Sequence, residues 1–163
     1  MLRLGLVGGT SGNVSARVGE LLRITPSALP YAEMEDAHLV TLALDGTILE
    51  GEREPSSEWR VHAAVYAARL DAGALVHTHS EHATAWSERG EPLGEWLTAP
   101  FAPSGSDEIA RTAVAALGDR SAVLLGNHGV LALGDTPAAA LAVCVEVERA
   151  AQDSVSHRTQ AQP

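Results

Sequence analysis

Ala37-His38-Leu39-Val40-Thr41-Leu42-Ala43-Leu44-Asp45-Gly46-Thr47-Ile48-Leu49 sets two apolar runs on either side of the pair Asp45-Gly46. Asp-Gly between such runs signals a β-hairpin, because a tight hairpin turn needs positive φ, which glycine adopts without a Cβ clash. A hairpin implies antiparallel pairing. Outward from it, Asn13–Val18, Leu21–Thr25 and Leu75–His79 read as further strands, and Ala122–Leu125 and Val130–Leu133 as two more around Gly126-Asn127-His128-Gly129. Between about Ser57 and Leu70 the period changes: Val61, Ala64, Val65 and Ala68 fall at helical spacing, and Ala72-Gly73 closes the element. Asp107–Leu117 reads as a helix with Ser106 as N-cap and Gly118 after its end. Thr136 and Pro137 open a last, Ala-rich helix to about Gln152. Strands and helices mix without strict alternation, so the expected class is α/β, a mixed sheet covered by helices. Residues 1–152 read as one domain. Residues 153–163, polar and without periodicity, read as a flexible tail.

Composition narrows the function. The chain has 163 residues, with 21 acidic and 11 basic side chains and a net charge of −10. That balance argues against nucleic acid as a partner, since phosphate backbones need clustered cations. Every basic residue is Arg. Without Lys there is no Schiff-base aldolase, no Lys-anchored pyridoxal phosphate and no P-loop. The single Cys144 excludes an internal disulfide and a multi-cysteine zinc site. No apolar run approaches the roughly 20 residues of a membrane span, and Met1-Leu2-Arg3 does not open like a signal peptide. A cytoplasmic enzyme or binding protein is the expected class.

His77-Thr78-His79 carries the sharpest chemical signal. Residues two apart in a strand share a face, so both imidazoles can converge on one metal at about 2.0–2.1 Å per bond. Two hydrogen-bonded histidines in a polar cleft is the other reading. His82 breaks the strand period and belongs outside such a site. His128, flanked by glycines, can complete a three-histidine set, the pattern of a catalytic zinc centre with an open position, or can be an ordinary turn histidine. Glu58 follows Pro55-Ser56-Ser57 at a helix start. It either serves the helix dipole or lies beside an anion held by the two hydroxyls and the free N–H groups. His62, one turn later, can orient Glu58 or simply pack. Gly8-Gly9-Thr10-Ser11-Gly12-Asn13 is a glycine-rich loop able to cradle phosphate, or a plain turn.

Taken in chain order, Gly9-Thr10-Ser11-Gly12-Asn13-Val14-Ser15-Ala16-Arg17, Ile24-Thr25-Pro26-Ser27, Ser56-Ser57-Glu58, His77-Thr78-His79-Ser80 and Asn127-His128-Gly129-Val130 resemble the class II aldolase/adducin family, over about residues 5–152. The resemblance implies a three-layer α/β/α fold with a central, mainly antiparallel mixed sheet, and a homo-oligomer, most simply a tetramer. It implies a divalent metal, Zn2+ or else Mn2+ or Co2+, on His77, His79 and His128. Glu58 becomes the fourth ligand at rest and the acid/base in turnover. Phosphate contacts carry over to Thr10, Asn13, Thr25, Ser56 and Ser57. The activity implied is aldolase cleavage of a small phosphorylated ketose through a metal-stabilised enediolate. A related epimerase has Asp where this chain has Glu58, which favours the aldolase. A decarboxylase, dehydratase or epimerase of the same superfamily, or a non-catalytic adducin-like interaction module, are the alternatives.

Three departures from the family pattern stand out. The glycine-rich motif begins near residue 8, where relatives carry an extra N-terminal helix before it. Ala28 follows Thr25-Pro26-Ser27 where the family has glycine, which removes easy access to positive φ. The family's proton-donating tyrosines have no match in Tyr31 or Tyr66, and Trp96 is the nearest aromatic to the first of those positions.

Overall fold

A computed structural model describes residues 1–160, with side chains to Ser156. The strands form where apolar residues alternate or run together: Asn13–Val18 (β1), Leu21–Ile24 (β2), Val40–Ala43 (β3), Ile48–Glu50 (β4), Ala74–Thr78 (β5), Thr98–Ala99 (β6), Ala122–Leu125 (β7) and Gly129–Gly134 (β8). They make one sheet in the order β4-β3-β2-β1-β5-β8-β7-β6. Every pairing is antiparallel except β6 with β7. The helices are Trp59–Ala68 (α1), Glu81–Ser87 (α2), Asp107–Leu117 (α3) and Pro137–Gln160 (α4).

The sheet is buried on both faces, which is why its central strands are nearly continuous apolar runs. On one face Leu22, Ile24, Leu75, Val123, Leu125, Leu131 and Leu133 pack with Val61, Val65 and Tyr66 of α1 and Ile109, Ala113 and Leu117 of α3. On the other, Val76, Leu124, Val130 and Ala132 pack with Ala83 and Trp86 of α2 and Ala140, Cys144, Val147 and Ala151 of α4. The result is the three-layer α/β/α arrangement expected. β5 lies at its centre, with Asn13 of β1 opposite His77 on one side and Leu131 of β8 opposite it on the other.

The hairpin over residues 37–49 forms as β3 and β4. The strands begin later than the apolar run suggests, because Asp36–His38 makes a 3-10 turn closed by reciprocal bonds between Glu35 and His38. Gly46 sits at φ 92° in the loop, and Asp45 Oδ1 accepts the Thr47 N–H. The last helix continues beyond Gln152, where the sequence reading ends it, to Gln160. Nothing between Asp153 and Gln160 is Gly or Pro, so the helix is not broken there. The final residues assigned to a tail, 161–163, lie outside the described residues. Two elements carried no readable signal. α2 has seven residues, and the carboxylate that accepts its first N–H groups, from His82 and Ala83, is Glu148 on α4. β6 is a two-residue edge strand held by β7. Among the described residues no helix is long and apolar enough to cross a membrane.

Gly12 ties the glycine-rich loop to the central strand. It lies at φ 75°, and a Cβ there would stand 2.7 Å from both the His77 carbonyl oxygen and Val7 Cγ1. Gly12→Ala is therefore expected to lower the urea-unfolding free energy by about 2 kcal/mol, from left-handed strain and the displaced strand. Gly8→Ala, with open space around the position, should stay within about 0.5 kcal/mol of the wild type.

Candidate metal centre

β5 and the β7–β8 turn bring three imidazoles together. His77 is the fourth residue of β5, and His79 lies one residue beyond its end but keeps the same face, so their Nε2 atoms approach to 2.7 Å. His128 comes from the turn after β7, where Asn127 takes the left-handed conformation at φ 54°. The ring centroids lie 4.6, 4.9 and 4.8 Å apart, with planes inclined at 67° to 85°. Three mutually steep rings point their nitrogens at one place. His77 Nδ1–H donates to the Val130 carbonyl at 2.8 Å, which leaves Nε2 bare as a ligand atom.

Glu58 completes the set. It occupies the N-cap position of α1, yet its carboxylate does not cap the helix. Its backbone N–H goes to Ser56 Oγ, and the carboxylate turns into the imidazole cluster. Oε2 receives Asn13 Nδ2–H at 2.9 Å and faces His77 Nε2 at 3.2 Å. Oε1 receives the Ser104 hydroxyl at 2.9 Å and faces His128 Nε2 at 3.1 Å. One ligand atom from each of Glu58, His77, His79 and His128 lies within 4.8 Å of the others. Three neutral nitrogens and one carboxylate oxygen suit a borderline divalent metal, so the residues fit the ion the sequence implies.

The electrostatics agree with that donor set. Burial alone would raise the Glu58 carboxyl, but the facing His77 and His128 hold it far below the ordinary carboxylate range. Partial burial, with His77 and His128 alongside, pushes His79 down to about 4 against the pull of Glu58. Burial pushes His62 down to about 3, helped by His77 and opposed by Glu58. For Glu58 and His79 the favoured forms, carboxylate and neutral imidazole, are the ones that ligate a cation.

The cluster floors a cleft of about 180 Å³ whose walls include Thr10, Asn13, Ser56, Ser57, Ser27, Ala28 and Ser104. Of the proposed phosphate residues, Thr10 and Ser57 are exposed at its rim. Ser56 Oγ takes the Glu58 N–H, and Asn13 is engaged by Glu58 and His62. Thr25 is not on the cleft wall; its hydroxyl accepts the Val14 N–H at 3.1 Å. Ala28 adopts φ 55° despite its Cβ, a left-handed conformation that costs an alanine strain. No Arg lines this cleft. A larger groove of about 500 Å³ between α1 and α3 is lined by alanines, Trp59 and the charged Asp45, Arg60, Asp107 and Arg111, and holds none of these groups.

Two partners of Glu58 escaped the sequence. Ser104 arrives from the loop before α3, drawn in because Gly105 packs on the Ser57 carbonyl so closely that a Cβ would stand 2.6 Å from its oxygen. No local pattern marks it. Asn13, a phosphate contact by family resemblance, also donates to Glu58. His82 lies outside the cluster, bonded to Glu148 at 2.8 Å. Trp96 is buried in the α2–α4 core, and Tyr31 lines a separate cleft with Met1–Leu4.

Comparison with known proteins fits this geometry. Residues 1–155 match the family described as class II aldolase and adducin N-terminal domain. The chain is 39% identical over 161 residues to 5-methylthioribulose-1-phosphate/5-deoxyribulose-1-phosphate aldolase of Rhodospirillum rubrum, covering 91% of this chain and 72% of that one. It is 40% identical over 164 residues to L-fuculose phosphate aldolase of Escherichia coli strain K12, covering 93% and 76%. A solved L-fuculose 1-phosphate aldolase superimposes with a TM-score of 0.92 at 32% identity, covering 99% of this chain and 82% of that one.

The depressed His62 imposes an acid limit on stability. Between its folded value of about 3 and its unfolded value near 6.5, the unfolded chain binds a proton that the native chain does not. Stability from this group is complete above about pH 6.5 and falls with pH below it, by at most about 1.4 kcal/mol per unit. His62→Gln cannot bind that proton. In urea titrations of metal-free protein from pH 7 to 4.5, its stability should decline less steeply than that of the wild type.

Proposed function

The chain belongs to the class II aldolase/adducin family, and from that premise we infer that it is a metal-dependent aldehyde-lyase cleaving a small phosphorylated ketose. The observation that carries this reading is the buried, ionised Glu58 set against three converging imidazoles at the floor of a hydroxyl-lined cleft. His77, His79, His128 and Glu58 would hold the ion, with zinc favoured by three nitrogen donors. The bound ion supplies Lewis-acid stabilisation of the negative charge that develops as the carbon–carbon bond breaks, the task that Lys would perform in a Schiff-base enzyme.

The remaining work falls to the chain's own residues. Glu58 takes a proton from the carbon beside the carbonyl in condensation and returns it in cleavage, acting through its carboxylate oxygens. Asn13 and Ser104 hold those oxygens with two hydrogen bonds. Thr10 and Ser57 at the rim, with Ser56 and Asn13 deeper in, offer the substrate phosphate neutral donors; Thr25, off the cleft wall, supports the backbone beneath them. The relatives' names make 5-methylthioribulose 1-phosphate, 5-deoxyribulose 1-phosphate and L-fuculose 1-phosphate the first substrates to test. We place the enzyme in the cytoplasm and as a homo-oligomer, most simply a tetramer. The assembly is supported by exposed Phe101 beside the Gly126-Asn127 turn and by Ile48 and Leu49 on edge strand β4, apolar surface that a second copy can cover.

Two measurements test this reading. Purified protein loaded with zinc and dialysed should retain about one ion per chain by elemental analysis, and His79→Ala should retain far less; equal retention by both would remove the proposed centre. Glu58→Gln should fold and keep most of the metal while losing roughly 10²–10⁴-fold in kcat on whichever sugar phosphate the wild type cleaves. Turnover at the wild-type rate would reduce Glu58 to a structural acid.

A further inference from the structure

Glu58, His62 and Tyr66 stand four residues apart along one stripe of α1, a step of about 6 Å. Asn13, Ser15 and Arg17 stand two apart on the facing side of β1, a step of roughly 6.6 Å. Because the steps nearly match, the two rows interdigitate. Asn13 bonds Glu58 at 2.9 Å and His62 Nε2 at 2.5 Å. Ser15 bonds His62 Nδ1 at 2.7 Å and the Tyr66 hydroxyl at 2.9 Å. All five side chains are buried, and His62 and Tyr66 are fully so.

The chemistry of the end group fixes the direction of the whole chain. A carboxylate only accepts, so the Asn13 NH2 faces Glu58 and its carbonyl faces His62. The His62 proton must then sit on Nε2. The bare Nδ1 accepts from the Ser15 hydroxyl, whose oxygen accepts from Tyr66. With the proton on Nδ1 instead, Nε2 would call for the Asn13 NH2, the amide would flip, and its oxygen would press against Glu58 Oε2. We infer that His62 is a positioning residue: held as the Nε2–H tautomer by Ser15 and Tyr66, it locks the Asn13 amide so that a donor, never an acceptor, reaches the Glu58 carboxylate. It acts on the reaction through Asn13, since its ring nitrogens bond Ser15 and Asn13 and no metal ligand. The inference rests on Glu58 being the proton-transferring group.

Two independent readouts test it. In metal-free wild-type protein, imidazole 15N chemical shifts at neutral pH should report His62 neutral and protonated on Nε2; a proton on Nδ1 overturns the inference whatever the activity. In steady-state assays, His62→Leu should lower kcat roughly 10- to 100-fold with KM within about twofold. His62→Gln, whose amide can donate to Asn13 from nearly the Nε2 position, should recover most of that loss. In an Asn13→Ala background, His62→Leu should cost less than about threefold further, because its target is gone. A loss of equal size in both backgrounds would mean a role in packing alone. Glu58→Gln run in parallel separates the two readings. If it is as active as the wild type, the proposed reaction fails. If it is inactive while folded His62→Leu matches the wild type, only the inference about His62 fails.

Discussion

A carboxylate charge buried under a helix N-terminus is the constraint around which this site is built. Removing Glu58 from water costs several kcal/mol unless partners or a bound cation replace the lost hydration, and the fold brings four side chains to the carboxylate from four places. Asn13 comes from β1, His77 from β5, His128 from the β7–β8 turn and Ser104 from the loop before α3. Each lies within 3.2 Å of a carboxylate oxygen. The strand order follows the same logic, since Asn13 reaches Glu58 beside His77 only if β1 lies next to β5 in the register that sets the two residues opposite one another.

The stripe of α1 that covers β1 is polar where an amphipathic helix would ordinarily be apolar. Glu58, His62 and Tyr66 face Asn13, Ser15 and Arg17, and the row ends in a cation. Arg17 stacks on Tyr66 at 4.7 Å and donates to the carbonyls of Tyr66, Arg69 and Ala72. It therefore satisfies the Tyr66 carbonyl in the last turn of α1 and braces the turn that follows the helix. A negative group at one end of the helix and a positive one at the other also oppose the helix dipole. The interface trades some hydrophobic burial for a single hydrogen-bonded arrangement, which fixes side-chain orientation more sharply than interchangeable aliphatic contacts can.

Much of this was written locally. The Asp45-Gly46 turn, the capping residues Ser106 and Thr136, and the H-x-H spacing of His77 and His79 each act within a few residues, so a linear reading finds them. Ordered motifs then identified His128 and Glu58 as companions of the strand pair. What escaped is what long-range packing alone creates. Ser104 reaches Glu58 because Gly105 meets Ser57, 48 positions earlier in the chain. α2 starts where Glu148 of α4 supplies its acceptor. His62 looked like a packing residue because its partner Asn13 lies 49 residues away. Asn13 itself was legible as functional, but its bond to Glu58 was not, since a motif names a residue without naming which end of its amide is in use.

The central position of β5 governs how the molecule comes into being. Its neighbours β1 and β8 are roughly 60 residues away on either side in sequence, so neither ladder can begin as a local hairpin. The early sheet contacts available to the chain are β1 with β2, β3 with β4 and β7 with β8, all close in sequence and none containing a complete ligand set. Closure of those pieces around β5 carries the loop entropy of a high-contact-order fold and is expected to be the slow event. The imidazoles and the carboxylate meet only at that step. A divalent ion therefore finds no preassembled site on a partly folded chain, and its affinity is coupled to the last stage of assembly, stabilising the finished sheet by mass action.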